Sequence, residues 1–447
     1  RAESRGEERP KPPGRGHEAD RRADSWRSYR SMTVRIPLHI LEFKDQRYSC
    51  HGCGDCCRDF SVQLRDHDVE RLESQGWEAE LGEPVTVVFR GQRYLRQRED
   101  GACLFLQEDG LCRIHAKFGF HEKPVACRLF PFNLAPDAKG TRAGLNFACQ
   151  SVRANRGEGL ATHRSDLNRA LKEVPESATV APPRLADSLR ADAAEVDHVV
   201  QRLDGWLARE DVPLVIRLDG FAWLAQSLGS ASFESVRGNR VGELLDLLCN
   251  ALPDELLHLP VAEASKRQRR QLRQAVFARI EDPRFTDDET RPKLSARLDQ
   301  WVRSSRFARG RGAVPSLVRG WGVPKTFADI DAMPRVKGES EVADLVTRWL
   351  RSSIRGGRAW GAGYYGWSMV DGVQALAFDV ACLGWLARAH AAGFDLAEAG
   401  SESVGEALGR IDRARGRAVW LGSAGERLRL RYFATDDGLR RLVRLSW

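Results

Sequence analysis

Eight of the ten cysteines in this 447-residue chain lie within one stretch of about a hundred residues. They are Cys50, Cys53, Cys56, Cys57, Cys103, Cys112, Cys127 and Cys149. A chain of this length can bury substantial hydrophobic cores and does not need the disulfide framework typical of small secreted domains. Thiols at this density therefore favour metal ligation, with disulfides or unligated structural cysteines as the alternatives.

The first 31 residues are polar and charged, and they contain no apolar segment of the kind found in secretory signals. We expect them to be a disordered tail or a mis-called start, because Met32 is the first methionine and an apolar segment follows it. The longest apolar stretch, 373–386, is interrupted by Asp379 and is too short to cross a bilayer. The sequence therefore predicts a cytoplasmic protein without a membrane segment, in a compartment where thiols stay reduced.

A net charge of +8 and a pI near 9.1 would suit an acidic partner such as nucleic acid. However, arginine far outnumbers lysine, as it does in proteins from GC-rich genomes, and no dense basic run is interleaved with aromatic residues. We therefore do not expect nucleic-acid binding.

Residues 32–158 are predicted to form a small cysteine-rich domain. Residues 66–75 have the pattern of a short helix capped by Asp66, and 84–89 and 93–95 have the pattern of strands. Residues 103–115 are expected to form a hairpin around an Asp109-Gly110 turn. With an even number of loop residues, Cys103 and Cys112 would point to the same face of that hairpin.

Residues 159–447 are predicted to be mostly helical. Apolar residues recur near the helical period in seven segments: 189–210, 212–228, 241–252, 261–280, 294–307, 341–354 and 373–392. The alternating segment 427–433 is predicted to be a strand. The fold class is therefore α+β, in which a small metal-stapled domain of short strands and helices is followed by a helical region.

The spacing C-x2-C-x2-C-C at positions 50–57 lets a tight loop turn its sulfurs onto one metal, and the same steps suit an iron–sulfur cluster. Neighbouring side chains diverge, so Cys56 and Cys57 either serve two metals or include one thiol that is not a ligand. Eight sulfurs are enough for two four-cysteine sites, or for one cluster with spare thiols. The spacing thus predicts metal binding and leaves the metal and the number of ions open.

Several other histidine, arginine and cysteine residues are candidates for a role at the metal site. The histidines near the cysteines, His51, His115 and His121, are not expected to be ligands, since the thiols suffice. Arg113 and Arg128 either offset the negative charge of a thiolate cluster or form surface salt bridges. The two remaining cysteines, Cys249 and Cys382, lie in apolar helical runs and are expected to be buried core residues.

The cysteine segments resemble the CxxCxxCC cysteine-cluster family (YkgJ-like), a zinc- or iron-chelating domain. The resemblance covers roughly 45–150 and is carried by the motifs at 48–57, 68–72, 101–106, 109–115 and 123–132. It implies bound zinc or iron, including a 4Fe-4S cluster. More distantly, the chain resembles the flagellin lysine N-methylases, which implies S-adenosylmethionine.

Three kinds of function are compatible with this sequence. The first is a metal-binding module with a structural or sensory centre and a helical region that contacts another protein. The alternative is an enzyme, either an iron–sulfur protein lysine N-methylase or a redox enzyme, and metal handling is a third possibility. A GxGxxG match at 361–366 follows no apolar strand and is interpreted as a turn between helices. No catalytic residue can be named from the sequence.

Overall fold

The computed structural model describes residues 38–40, 46–89, 91–137, 139–174, 181–187, 189–258, 260–281 and 293–447. Leu38–Trp447 form one compact unit. The predicted tail at 1–31 and the predicted start at Met32 lie outside the described residues.

Short strands and short helices alternate in the cysteine-rich part, which confirms the α+β class. The strands are β1 (Leu38–Ile40), β2 (Arg47–Tyr48), β3 (Thr86–Phe89), β4 (Gln92–Leu95), β5 (Phe132–Asp137), β6 (Gly140–Leu145) and β7 (Glu158–Gly159). The helices are α1 (Asp55–Asp59), α2 (Asp66–Ser74), α3 (Trp77–Leu81), α4 (Arg113–Phe118), α5 (Val125–Leu129), α6 (Gln150–Arg153) and α7 (Arg164–Leu171). In the three-stranded sheet, β6 lies between β1, which is parallel to it, and β5, which is antiparallel.

A small hydrophobic core holds α2, α3 and the β3–β4 hairpin together. We call it the small core; its buried residues are Leu64, Val69, Leu72, Trp77, Val85, Leu95, Cys103, Phe105 and Ile114. The two strands and the helix predicted here are confirmed. The helix cap is different from the prediction, because Arg65 precedes the helix and its N–H donates to the Asp68 carboxylate at 3.1 Å.

In place of the predicted hairpin at 103–115, the structure has two isolated β-bridges. Leu106 lies opposite Cys112 and encloses the five-residue loop 107–111, while Cys103 lies opposite Gln97. The loop has an odd number of residues, so the condition under which Cys103 and Cys112 would point to the same face of the hairpin is not met. Both side chains nevertheless reach the small core, because the chain turns between them and the Leu106 N–H donates to the Cys103 carbonyl at 3.0 Å.

The remainder of the chain is mostly helical, and all seven predicted helices are present with shifted ends. A second small pair of strands, β8 (Arg184–Ala186) and β9 (Leu189–Arg190), precedes the helices. The helices are α8 (Ala193–Leu207), α9 (Leu214–Ser230), α10 (Asn239–His258), α11 (Lys266–Ile280), α12 (Lys293–Arg309), α13 (Phe327–Ala332), α14 (Ser340–Arg355), α15 (Met369–Gly393), α16 (Ser401–Ala414), α17 (Ala424–Phe433) and α18 (Gly438–Ser446).

The strand predicted at 427–433 is wrong, because these residues belong to the helix α17. The Ser423 hydroxyl caps that helix by accepting the Glu426 N–H at 3.3 Å. The alternating leucines suggested one buried strand face, but Leu428 is 67% exposed and Leu430 is buried. A ten-residue helix with two leucines two positions apart gives the same letters as a strand.

Helix α15 runs through the middle of the large core and is buried along nearly its whole length. It extends beyond the apolar stretch 373–386 and has the length and apolar composition of a membrane span, although 94% of its most apolar window is buried inside the protein. Asp379, which interrupts the stretch, forms an ion pair with Arg279 at 2.7 Å and another with Arg415. A core helix with a paired charge accounts for this segment.

The large core also includes residues from the cysteine-rich part, among them Phe132, Leu145, Phe147 and Val152. Asp412 of α16 joins the two regions. Its carboxylate accepts hydrogen bonds from the Phe147 N–H at 2.6 Å and the Trp349 indole at 3.1 Å, and it pairs with Arg358 at 2.7 Å. The predicted boundary between 158 and 159 lies close to residues that supply this core, and the three-part domain division stays a prediction.

Replacing Asp412 with Ala should destabilise the protein by about 3–5 kcal/mol, because Arg358 would remain buried without its partner. The measurement is the urea midpoint of unfolding. The control is Asp246→Ala, which breaks an ion pair to Arg202 at a carboxylate that is 54% exposed and should cost at most about 1 kcal/mol. Equal midpoint shifts in the two variants would contradict the role assigned to Asp412.

Candidate metal centre

The first four cysteines lie on a tight loop and the short helix that follows it. Gly52 and Gly54 each have φ of +74°, a conformation that glycine adopts without strain and that turns the loop back on itself. Cys56 and Cys57 are consecutive residues of α1, and their sulfurs are 4.0 Å apart. Successive residues of a helix point about 100° apart, so the two side chains leave the helix in different directions.

The 50–54 loop rests on the turn at 107–111. Gly110 has φ of +83°, and a Cβ there would lie 2.5 Å from the Gly52 carbonyl oxygen. A Cβ on Gly54 would likewise lie 3.0 Å from a methyl group of Leu106. The two loops therefore fit together only because neither glycine carries a side chain.

Four cysteines gather at the small core. Cys103 lies in this core, and the side chains of Cys57, Cys112 and Cys127 pack against it. The Cys103 N–H donates to the Cys57 carbonyl at 2.7 Å, which ties α1 to the 103–115 segment. Cys127 is placed by α5, whose first N–H, that of Val125, donates to the buried Asp68 carboxylate at 2.9 Å.

Cys50 and Cys149 are brought together on the side of the large core. The Ser49 N–H donates to the Arg156 carbonyl at 2.9 Å, and the His51 ring is hydrogen-bonded to the Ser151 hydroxyl. Cys50 lies between these two contacts. Cys149, which stands directly before α6, packs against the large core.

Burial disfavours the charged form of several of these thiols. It raises the pKa of Cys53 and of Cys103 to about 11, and it also raises the pKa of Cys127 and Cys149. Neighbouring sulfurs add to the effect, since the charges of Cys149 and Cys56 further raise the pKa of Cys53. A cation among the sulfurs would reverse this repulsion and leave the thiols deprotonated.

Backbone N–H donors lower the pKa of three of these thiols, which opposes the effect of burial. Cys53 accepts from the Asp55 N–H and Cys103 accepts from the Phe105 N–H, while Cys149 accepts from the N–H groups of Val152 and Ser151. These hydrogen bonds lower the pKa and favour the thiolate, which is the form that binds metal. The repeated i+2 pattern therefore indicates backbone turns suited to holding ligated sulfur.

Lys123 is a charged neighbour of the cysteines that the sequence analysis missed. Burial alone lowers its pKa, but the charges of Cys127, Cys112, Cys56 and Cys57 outweigh burial and the net pKa is raised. Its position four residues before Cys127, in the motif at 123–132, was the only available signal.

Arg128 serves a structural ion pair. Its guanidinium is almost fully buried and pairs with Glu173, while its Nε donates to the Lys123 carbonyl at 2.9 Å. A salt bridge is therefore present at Arg128, but the predicted surface position is wrong because the guanidinium is buried.

The other candidate residues are placed as follows. His51 contacts Ser151, and His121 lies 3.9 Å from Asp166. Cys382 is fully buried, as predicted, but Cys249 is only partly buried, so the expectation of a core position is wrong for it. Cys249 packs at the edge of the large core on α10.

The segment 361–366 is a turn between α14 and α15, as predicted. The Gly361 N–H donates to the Trp367 carbonyl at 2.9 Å, and a Cβ on Gly363 would lie 2.1 Å from the Gly357 oxygen. The glycines of this turn allow its backbone to pack closely against neighbouring backbone.

Across the part of the chain that the structure describes, no three His, Cys, Asp or Glu side chains stand close enough together to hold one ion. The eight-cysteine ligand set therefore stays a prediction. The donor chemistry fits it, because sulfur is the ligand of structural zinc and of iron–sulfur clusters. The backbone N–H groups aimed at three sulfurs fit as well.

Residues 49–150 match the sequence model of the CxxCxxCC family, described as "Putative zinc- or iron-chelating domain". The matched segment contains all eight of the clustered cysteines. The chain is also similar to "Uncharacterized protein MJ0939" of Methanocaldococcus jannaschii, with 32% identity over 101 residues. That alignment covers 23% of this chain and 35% of the relative, so the chain spans about a third of the relative's length. No solved structure matches the chain.

The contact between the two loops of the CxxCxxCC domain can be tested at Gly110. Gly110→Ala should reduce the metal content of the purified protein, because the new Cβ would displace Gly52 and with it the 50–54 loop. Gly101→Ala is a matched control, since Gly101 has φ of +84° but nothing within 4 Å of the added Cβ. Both variants carry backbone strain of about 1–3 kcal/mol. Equal metal loss in both would show that strain alone is responsible.

The ion pairs around Glu173 predict a dependence of stability on pH. Hydrogen bonds and charge from Arg128 and Arg71 lower the pKa of Glu173 to about 2, from an ordinary value of 4.5, and His67 lies 3.5 Å away. A lowered folded-state pKa gives stability that is complete above the unfolded pKa and is lost as the pH falls to the folded pKa. Between pH 4.5 and 2, wild-type protein should therefore lose stability more steeply than Glu173→Gln, measured by thermal unfolding. Parallel curves would contradict this.

Proposed function

We propose that this protein holds zinc or iron, as single ions or as a 4Fe-4S cluster, through the cysteines of its CxxCxxCC domain. In this proposal the centre is structural, and it fastens the small core to the helical body. The observation that carries the proposal is that the cysteines lie at two different hydrophobic cores. Cys103 belongs to the small core, against which Cys57, Cys112 and Cys127 pack, and Cys149 packs against the large core.

The energetics support a structural role. The small core has nine buried residues, two of which are large aromatics, Trp77 and Phe105. A core of that size yields only a few kcal/mol of net stability. Structural zinc in small peptides contributes about 10–16 kcal/mol of apparent binding energy. A metal tied to both cores would therefore decide whether the segments from 50 to 149 keep their positions.

The chain's own residues would prepare the centre. Backbone N–H groups would stabilise the thiolate form of Cys53, Cys103 and Cys149 once a metal is bound, and Lys123 would reduce the negative charge of the site. The metal itself would supply the bonds that join the segments. We place this chemistry in a reducing compartment such as the cytoplasm, where the thiols stay available.

We further propose that the helical region contacts another protein. Leu298 and Trp301 lie one turn apart on α12 and are 61% and 63% exposed. Exposed apolar pairs of this kind occur at protein contact sites. A sensory role would require that metal loss alter this surface.

Elemental analysis and the visible spectrum of anaerobically purified protein test the proposal directly. Stoichiometric zinc in colourless protein, or iron with absorbance that bleaches in air, would support it. Protein without zinc or a transition metal would overturn it. Binding of S-adenosylmethionine in calorimetry would instead support the lysine N-methylase alternative.

Single substitutions extend this test. Cys53→Ser and Cys112→Ser should each lower metal content and solubility together, because each removes a ligand from the structural centre. Cys249→Ser and Cys382→Ser should keep the metal, since these thiols lie elsewhere, on α10 and α15. Full metal content and unchanged melting in both Cys53→Ser and Cys112→Ser would count against the two positions as ligands.

A further inference from the structure

We infer that one face of the helical region, formed by α11 and α17, binds an acidic protein segment that carries an apolar side chain of about the size of leucine. We call it the basic face; its residues are Lys266, Arg267, Arg270, Leu428, Arg431 and Tyr432. The inference rests on the proposed protein contact of the helical region, for which it names a second surface and the chemistry of the partner. It does not require metal.

Helix α11 concentrates positive charge. Six of its fifteen residues are basic and none is acidic; the basic residues are Lys266, Arg267, Arg269, Arg270, Arg273 and Arg279. Like charges three or four positions apart on a helix repel each other, and α11 has no carboxylate of its own to offset this repulsion. The helix is therefore more positive than its own stability favours.

The basic residues of α11 differ in whether the fold provides them with a partner. Arg279 pairs with the buried Asp379 at 2.7 Å, and Arg269 pairs with Glu263 at 3.4 Å. The three basic residues that α11 contributes to the basic face are exposed. Within the described part of the chain, none of these three lies within ion-pair distance of a carboxylate. Their charge is therefore left for an anion from outside the fold.

Helix α17 adds apolar side chains beside these charges. Leu428 is 67% exposed, and Tyr432, which lies one turn further along the helix, is 38% exposed. The Arg267 guanidinium lies 5.0 Å from the centre of the Tyr432 ring, which joins the two helices at this face. Arg429 of α17 reinforces the junction by donating to the Gln271 side chain of α11 at 3.1 Å. The cations and the apolar side chains therefore belong to one surface.

The composition of the basic face indicates the class of partner. Nucleic acid is attracted through its phosphate charge, and it would gain nothing from the exposed Leu428. It would also meet Asp187, an exposed carboxylate that pairs with Arg431 at 2.8 Å. An acidic protein segment with an apolar side chain uses both the cations and the leucine. Arginine and tyrosine are also residues that supply much of the binding energy at protein interfaces.

Fluorescence anisotropy with a defined peptide tests the inference. The probe is a short fluorescein-labelled peptide rich in glutamate with one central leucine, added to anaerobically purified full-length protein. We expect saturable binding that weakens as the salt concentration rises, because exposed charges are screened. The same peptide with serine in place of leucine should bind about tenfold more weakly, because the apolar contact with Leu428 is lost. Absence of binding, or equal binding of the two peptides, would overturn the inference.

Substitutions locate the binding surface. Arg267→Glu combined with Arg270→Glu should weaken peptide binding by at least about tenfold, since like charges would then face each other, and Leu428→Ser should weaken it by about tenfold. The matched control combines Arg240→Glu on α10 with Lys325→Glu before α13, two exposed positions that change the net charge equally. The control should bind the peptide as the wild type does. Equal weakening in the control would show that only overall charge matters and would overturn the inference.

Three further outcomes separate this inference from the other proposals. Loss of peptide binding in Trp301→Ser, with the basic-face variants unaffected, would place the contact on α12 and overturn the basic face. Tighter binding of a single-stranded oligonucleotide than of the peptide, lost in the Arg267→Glu and Arg270→Glu variant, would overturn the class of partner. Metal-free protein that binds the peptide would support the basic face and overturn the metal centre, and metal-loaded protein that binds no peptide would do the reverse.

Discussion

The crowding of sulfur around one short helix is the constraint on which the rest of this structure depends. Cys56 on α1 affects the pKa of thiols from both sides, including Cys53, Cys103, Cys127 and Cys149. As thiols they are compatible with burial, but as thiolates they repel one another unless a cation lies among them. The backbone N–H groups at Cys53, Cys103 and Cys149 favour the thiolate form, which a cation among the sulfurs would sustain. The same loops are thus shaped for a charge state that they cannot sustain alone.

The helical body supplies the fixed side of this arrangement. Asp412 holds the Phe147 amide just before Cys149, and Arg348 holds the carbonyls of Val152 and Arg153 just after it. Both charged groups come from long helices of the large core, so the position of Cys149 is set by elements more than 190 residues away in sequence. The last of the eight clustered cysteines is therefore placed by the helical body.

The features that could be predicted from the sequence are those set by local interactions, and the features that were missed depend on residues far apart in the chain. Helices with several turns of apolar period, such as α9 and α15, were found because their own residues carry the signal. The segment 427–433 was mistaken for a strand because two leucines cannot distinguish the two periods, and the cap at Ser423 lies outside it. The loop before Cys112 has an odd number of residues because Leu106 pairs with Cys112. The spacing of the cysteines in the sequence does not determine that pairing. The cysteines were visible as candidate ligands, but Lys123, Arg348 and Asp412 act across the fold and have no local signature.

The distribution of apolar residues explains why this part of the protein would need metal at all. The large core gathers most of the tryptophans and the long central helix, and it can offset the entropy of ordering its segments. The small core has only nine buried residues to order the chain between 64 and 114, with strands of four residues and helices of five to nine. Such short elements are marginal in isolation. Metal bonds to the cysteines at 57, 103, 112 and 127 would close loops over this whole span. Such a metal would supply stability that the small buried area of this part of the chain does not provide.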